Sequence, residues 1–169
     1  MPVIVISGVP GAGKSTIARL LAERYPRGVH VEADALQRMI VSGGEWPGAT
    51  LTSEAARQLR LRLTNTCLLA RSFAAAGFVA VLDDIYVGER IDHLRAELSG
   101  VPFEFVMLNP SLDALRRRNA SRAKRDAFDQ AQGLYDVVQS ATERLGLWLD
   151  TSEFTPAETV AAIESAIRP

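Results

Sequence analysis

Residues 8–16 read Gly-Val-Pro-Gly-Ala-Gly-Lys-Ser-Thr and satisfy the spacing G-x-x-x-x-G-K-[ST] through Gly8, Gly13, Lys14 and Ser15. The pattern constrains the fold because such a loop works only between a buried strand and the start of a helix. Both flanks comply. Val3-Ile4-Val5-Ile6 is a β-branched run suited to a strand covered on both faces. Ile17, Leu20 and Leu21 recur at helical spacing, and no proline intervenes before Pro26. A polyphosphate needs many N–H donors with no side chains in the way, so Gly8, Gly11, Ala12 and Gly13 form the cradle. The helix N-terminus at Lys14, Ser15 and Thr16 adds unpaired amides and a positive dipole end. Lys14 is expected to reach the β- and γ-phosphates, and the Ser15 hydroxyl to ligate Mg²⁺.

The chain has 169 residues and 47% hydrophobic content, which suits one domain over 1–169 with a substantial core. A net charge of −1 gives no basis for coating nucleic acid or an acidic membrane, so any anion affinity must be local. There is no basic leader with an apolar core, and the run Phe73 to Leu82 is too short to span a bilayer. Cytoplasmic localisation is therefore expected, and a lone Cys67 among leucines fits a buried structural thiol there. Nothing in the chain fixes an oligomeric state.

Helical spacing runs to about Tyr25, and Val29-His30-Val31 follows as a second strand. Glu32 and Asp34 close it, two carboxylates at the carboxyl end of a strand, where open α/β folds keep their chemistry. Asp34 suits two roles at once, an N-cap for a helix over 35–41 and the base that takes a proton from a substrate hydroxyl. Residues 42–52 are turn-rich, with Gly43 and Gly44 as the mobile part of a substrate loop and Trp46 as either a stacking surface or a packing anchor. A long helix is expected over 53–76, with Ala55, Leu59, Leu63, Thr66, Ala70 and Phe73 in its stripe and Arg57, Arg60, Arg62 and Arg71 on a solvated face.

Phe78 to Leu82 is an apolar strand running into Asp83-Asp84, the Walker B pattern in which a carboxylate holds Mg²⁺. Either aspartate fits that role. His30 and His93 lack metal-like partner spacing and are expected to be structural or surface residues. After a strand over 103–108, Ser111 caps a segment with six cations in residues 116–125. Arg118, Arg122 and Arg125 share one helical face there, expected to be a lid over about 116–130 that closes on the transferring phosphoryl group. A helix, the strand 147–150 and a last helix from Pro156 complete an α/β chain of five parallel strands with helices on both faces.

Taken together, Gly8 to Thr16, Glu32-Ala33-Asp34, Leu82-Asp83-Asp84 and the arginine segment resemble the small P-loop kinases, nearest the chloramphenicol phosphotransferase-like group. The resemblance implies a nucleoside-kinase type of sheet, order 2-3-1-4-5, and transfer of phosphate from ATP, with Mg²⁺, to a small-molecule hydroxyl. It implies that Asp34 is the general base, Lys14 the phosphate clamp and Ser15 the Mg²⁺ ligand, with Asp83 or Asp84 supporting the metal or substrate, Asp83 being the candidate metal ligand. The spacing of the basic segment adds Arg122 and Arg125 as catalytic candidates and Arg118 as a nucleotide contact. Glu32, Arg38, Trp46, Asp84 and Tyr86 are the candidates for acceptor contacts. Glu32 and the loop 42–52 depart from the antibiotic kinases, and the acceptor should bind there. Asp34 to Ile40 and Arg118 to Arg122 also resemble polynucleotide 5′-hydroxyl kinases, an alternative the near-neutral charge disfavours. A GTP-dependent switch would want an Asn-Lys-x-Asp motif, which Asn109 to Asp113 does not supply.

Overall fold

The computed structural model describes residues 3–48, 50–120 and 126–167, with side chains for all of these except 119, 120 and 126–131. Arg122 and Arg125, and with them the middle of the expected lid, lie outside the described residues.

Five strands, β1 (Val3–Ser7), β2 (Gly28–Glu32), β3 (Val79–Asp83), β4 (Phe103–Leu108) and β5 (Leu147–Leu149), form one sheet in the order β2-β3-β1-β4-β5. Every pairing is parallel. Parallel neighbours need crossovers, and the crossovers are helices that cover both faces, which is why the central strands tolerate unbroken apolar runs. β1 and β3 are buried at every position. The helices are α1 (Lys14–Ala22), α2 (Ala33–Arg38), α3 (Ser53–Ala75), α4 (Arg90–Glu97), α5 (Leu112–Ala120), α6 (Asp126–Ala141) and α7 (Pro156–Ile167). α1 packs against β3 and α7, while α3 packs against β3, β2, α2 and α4. No described helix is long and apolar enough to cross a membrane.

The order reverses at β1, whose neighbours are β3 and β4. A crevice opens at such a switch point, beyond the carboxyl ends of the strands. Register makes those ends level: Ile6 lies opposite Asp83, and Asp83 opposite Glu32.

Local boundaries shift in two places. α1 stops at Ala22 because the chain turns back so tightly that a Cβ on Gly28 would sit 1.9 Å from the Ala22 carbonyl oxygen. α2 begins at Ala33 rather than 35, with extended Glu32 at the N-cap position, so Asp34 is a first-turn residue and not the cap. Its carboxylate still complements the dipole there.

Candidate active site

The phosphate-type loop is fastened at both ends. Ser7 Oγ accepts from the Tyr86 amide and donates to the Tyr86 carbonyl, each at 3.0 Å, tying the end of β1 to the segment after β3. Gly8 has φ +152°, and a Cβ there would lie 2.7 Å from the Leu108 carbonyl oxygen, so β4 itself demands glycine. Gly13, at φ +95°, is the N-cap of α1, and a Cβ on it would meet nothing, so its requirement is conformational and its face is open. The Lys14 ammonium folds across the loop to the Val9 carbonyl oxygen at 3.3 Å. Burial lowers its pKa, while Asp83, Asp84 and Asp34 pull the other way and favour the charged form.

Ser15 Oγ donates to Asp83 Oδ2 at 2.6 Å, and His30 Nε2 meets Asp83 Oδ1 at 2.7 Å. A hydroxyl and a carboxylate oxygen at hydrogen-bond distance, at the mouth of an anion-binding loop, match a hard cation such as Mg²⁺. Among the described residues no three His, Cys, Asp or Glu side chains form a metal-holding group. An ion here would therefore take the rest of its shell from phosphate oxygens and water, the usual arrangement for Mg²⁺.

Asp84 points away from that pair. Arg62 grips it in a fork, Nη2 to Oδ1 at 2.6 Å and Nε to Oδ2 at 3.1 Å, while Arg90 Nη2 reaches Oδ2 at 3.0 Å and the Ile85 amide Oδ1 at 2.8 Å. Burial alone would raise its pKa, but the two guanidiniums, the amide and Lys14 outweigh it and hold the carboxyl below its ordinary value. Arg62 then extends Nη1 to Asp34 Oδ1 at 3.2 Å. Asp34 is 54% exposed, and its Oδ2 has no hydrogen-bond partner among the described residues. Its pKa is raised, first by partial desolvation and then by Asp84 and Asp83, against the lowering influence of Arg62 and Lys14. A carboxylate held at one oxygen and open at the other, with a raised pKa, can accept a proton.

A family profile described as AAA domain matches residues 3–158. The chain belongs to the AAA domain family. No curated protein sequence matches it significantly. Among solved structures, a sugar kinase from Janibacter sp. HTCC2649 is similar with TM-score 0.71 at 20% identity, covering 99% of this chain and 94% of that chain. A gluconokinase from Sinorhizobium meliloti 1021 gives TM-score 0.69 at 22% identity, with 98% and 90% covered. The APS kinase of Mycobacterium tuberculosis, in complex with AMPPNP and APS, gives 0.71 at 17%, with 98% and 97% covered. At these identities the likeness establishes a P-loop kinase-like fold for the AAA domain and nothing finer.

Within this AAA domain the expected site residues separate into two groups. Lys14, Ser15, Asp83 and Asp34 gather at the strand ends, and Arg38 Nη2 pairs with Glu32 Oε1 at 3.1 Å on the rim. Two expected acceptor contacts are not available as such. Tyr86 is fully buried, its backbone engaged by Ser7 and its ring 5.8 Å below the Arg90 guanidinium, so it offers no surface to an acceptor. Asp84 is 4% exposed and saturated by Arg62, Arg90 and Ile85. Trp46 is 48% exposed and so is no core anchor. Arg118 reaches the Thr151 carbonyl oxygen beside the segment after β5.

The sequence pattern assigns no site role to Arg62, His30, Gln58 or Gln37. Arg62, assigned to a solvated face, is 5% exposed and holds the two aspartates together. A signal existed, since Arg62 falls seven residues after Ala55 and four before Thr66, both in the buried stripe. His30 reaches Asp83 across the β2–β3 pairing, which no local pattern reveals. Gln58, with Gln37, clamps the substrate-type loop: Gln58 Nε2 donates to the Gly43 carbonyl at 2.7 Å, and its Oε1 accepts from the Glu45 amide at 2.8 Å. The part of the loop expected to be mobile is thus hydrogen-bonded to α3.

Proposed function

We propose that the protein is an ATP- and Mg²⁺-dependent phosphotransferase whose acceptor is a hydroxyl of a small molecule. One observation carries the reading: the Gly8–Ser15 loop, the Ser15–Asp83 pair and an Arg62-oriented Asp34 converge at the carboxyl ends of adjacent strands. Phosphoryl transfer asks a protein mainly for positioning and electrostatic stabilisation, and these are the parts it needs.

Loop amides and Lys14 bind the β- and γ-phosphates, and Ser15 with Asp83 would hold Mg²⁺, which would supply positive charge to offset that of the phosphates. Asp34 Oδ2 orients the acceptor hydroxyl in line and takes its proton. The acceptor oxygen forms a bond to the γ-phosphorus, the bond to the β,γ-bridging oxygen breaks, and ADP leaves. Arg118, Arg122 and Arg125 belong to the proposal through the spacing of the basic segment, as contacts to the nucleotide phosphates and the transferring group.

Incubating purified protein with γ-labelled ATP, Mg²⁺ and a panel of antibiotics, sugars, nucleosides and 5′-hydroxyl oligonucleotides tests the reading. Label recovered on a small-molecule alcohol supports it. Label on oligonucleotide ends alone would move the assignment to a polynucleotide kinase, and label on no acceptor would leave a nucleotide-binding module.

A further inference from the structure

Asp83 and Asp84 are adjacent in the chain and are held in different ways. The guanidiniums of Arg62 and Arg90 both go to Asp84, while among the described residues no arginine or lysine forms an ion pair with Asp83. The two oxygens of Asp83 are divided instead between two elements. Oδ2 accepts from Ser15 Oγ on α1 at 2.6 Å, and Oδ1 meets His30 Nε2 on β2 at 2.7 Å. Register explains the second contact. Glu32 lies opposite Asp83, and His30, two residues earlier in β2, points to the same face of the sheet, so its ring reaches diagonally to the carboxylate. The pair is largely withdrawn from water, the His30 side chain being 18% and that of Asp83 5% exposed.

This division of oxygens bears on how the carboxylate meets a cation. The last torsion of an aspartate is broad and two-fold, so nothing within the side chain decides which oxygen faces the Ser15 hydroxyl, or at what angle. Ser15 cannot brace Asp83 by itself, because it is the other candidate ligand and belongs to the loop that must adapt to the phosphates. His30 stands outside that loop. Its strand is paired with β3 from Gly28 to Glu32, which makes the imidazole a fixed point from which one oxygen is held and the other is aimed. Partners that orient a ligating side chain without touching the metal are commonly worth about 10- to 100-fold in metal affinity.

Resting on the metal role given to Ser15 and Asp83 in the phosphotransferase reading, we propose that His30 is a positioning residue: by holding Asp83 Oδ1 it turns Oδ2 towards Ser15 and fixes the carboxylate for the Mg²⁺ that accompanies the nucleotide. The role acts through Asp83 and asks for no contact between His30 and the nucleotide. Removing the imidazole nitrogens should therefore weaken what the metal adds to nucleotide binding and leave the metal-free contacts of the loop intact.

Titration calorimetry with AMPPNP, a non-hydrolysable ATP analogue, separates the two contributions. Kd is measured in EDTA and in Mg²⁺, and the ratio of the two values is the coupling between metal and nucleotide. His30→Phe keeps an aromatic ring at a strand position and removes the nitrogens. The ratio should fall about tenfold or more in this variant, while Kd in EDTA changes by less than about twofold. His30→Gln, whose amide nitrogen can reach the same oxygen, should recover most of the ratio. An unchanged ratio in His30→Phe, an equal loss in EDTA and in Mg²⁺, or no recovery in His30→Gln would overturn the inference and leave the phosphotransferase reading standing. Should His30→Phe fail to fold, the parent chain decides by ¹⁵N spectroscopy of its two histidines, with His93→Gln assigning the signals. His30 Nε2 should keep its hydrogen-bonded shift when Mg²⁺ and AMPPNP bind, and a move to the shift of a water-exposed imidazole would overturn the inference. A parent that binds AMPPNP equally with and without Mg²⁺ would remove the metal assignment and this inference together, and one that binds no AMPPNP would remove the phosphate reading beneath both.

Discussion

Asp34 is oriented by a guanidinium that arrives from another helix, and only one of its two oxygens is engaged. Asp34→Asn keeps the size of the side chain while removing basicity, so nucleotide binding should persist and kcat for the acceptor should fall by about 10² to 10⁴, measured by single-turnover transfer. The base is active as the anion, and its folded pKa is raised from 3.8. Activity should therefore fall as pH drops through a midpoint above 3.8, and this acid limb should vanish in Asp34→Asn. Asp84 behaves oppositely. Its carboxyl is depressed from 3.8, so its contribution to stability is present above that value and is lost as pH falls through the lower folded value. Asp84→Asn leaves Arg62 and Arg90 facing a neutral amide in a buried site, and should cost about 3–5 kcal/mol of unfolding free energy in urea at neutral pH. The acid-side slope of stability should flatten in the same variant.

Among the elements, α3 does two things beyond packing its apolar stripe. It carries Arg62 to the strand ends and Gln58 to the loop over 43–45. Thr52 caps it, the Ala55 amide donating to Thr52 Oγ1 at 3.0 Å, and Thr52 also bonds the Glu45 carboxylate, so the helix start and the loop are held together. Gln58→Ala would leave the Glu45 amide and the Gly43 carbonyl without their partner. We expect a loss of about 1–3 kcal/mol and faster amide exchange confined to residues 42–52, read by hydrogen-exchange mass spectrometry. Unchanged exchange at Glu45 would mean the clamp does not order the loop.

For the whole molecule, ligand linkage is the direct readout. If Mg²⁺–ATP binds the native state alone, it should raise Tm in proportion to the logarithm of its concentration, and about 100-fold excess over Kd corresponds to about 2.7 kcal/mol. Lys14→Ala removes a charge-assisted contact to phosphate and should shrink the shift, as should chelation of Mg²⁺. Equal shifts in parent and Lys14→Ala, followed by differential scanning fluorimetry, would count against the phosphate assignment.

The strand-loop-helix at 3–22, the five strands and their parallel character were legible in the chain, because each is written locally in apolar runs, glycine spacing and helical period. The order β2-β3-β1-β4-β5 agrees with what the resemblance to P-loop kinases implied. What separated Asp83 from Asp84 was not local. Successive strand residues face opposite ways, so one aspartate meets Ser15 and His30 and the other meets Arg62 and Arg90, and which neighbours wait on each side depends on β2, α1, α3 and α4 packing around β3. Arg62 reads as a surface residue for the same reason, and nothing local assigns Gln58 a partner. A polar side chain on a helix reveals its burial only when its partners, 22 residues away for Asp84 and 21 for Gln37, are brought beside it by the tertiary fold. Desolvation and pairing, which set the charge state of Asp34 and Asp84, are properties of that assembly and of no segment by itself.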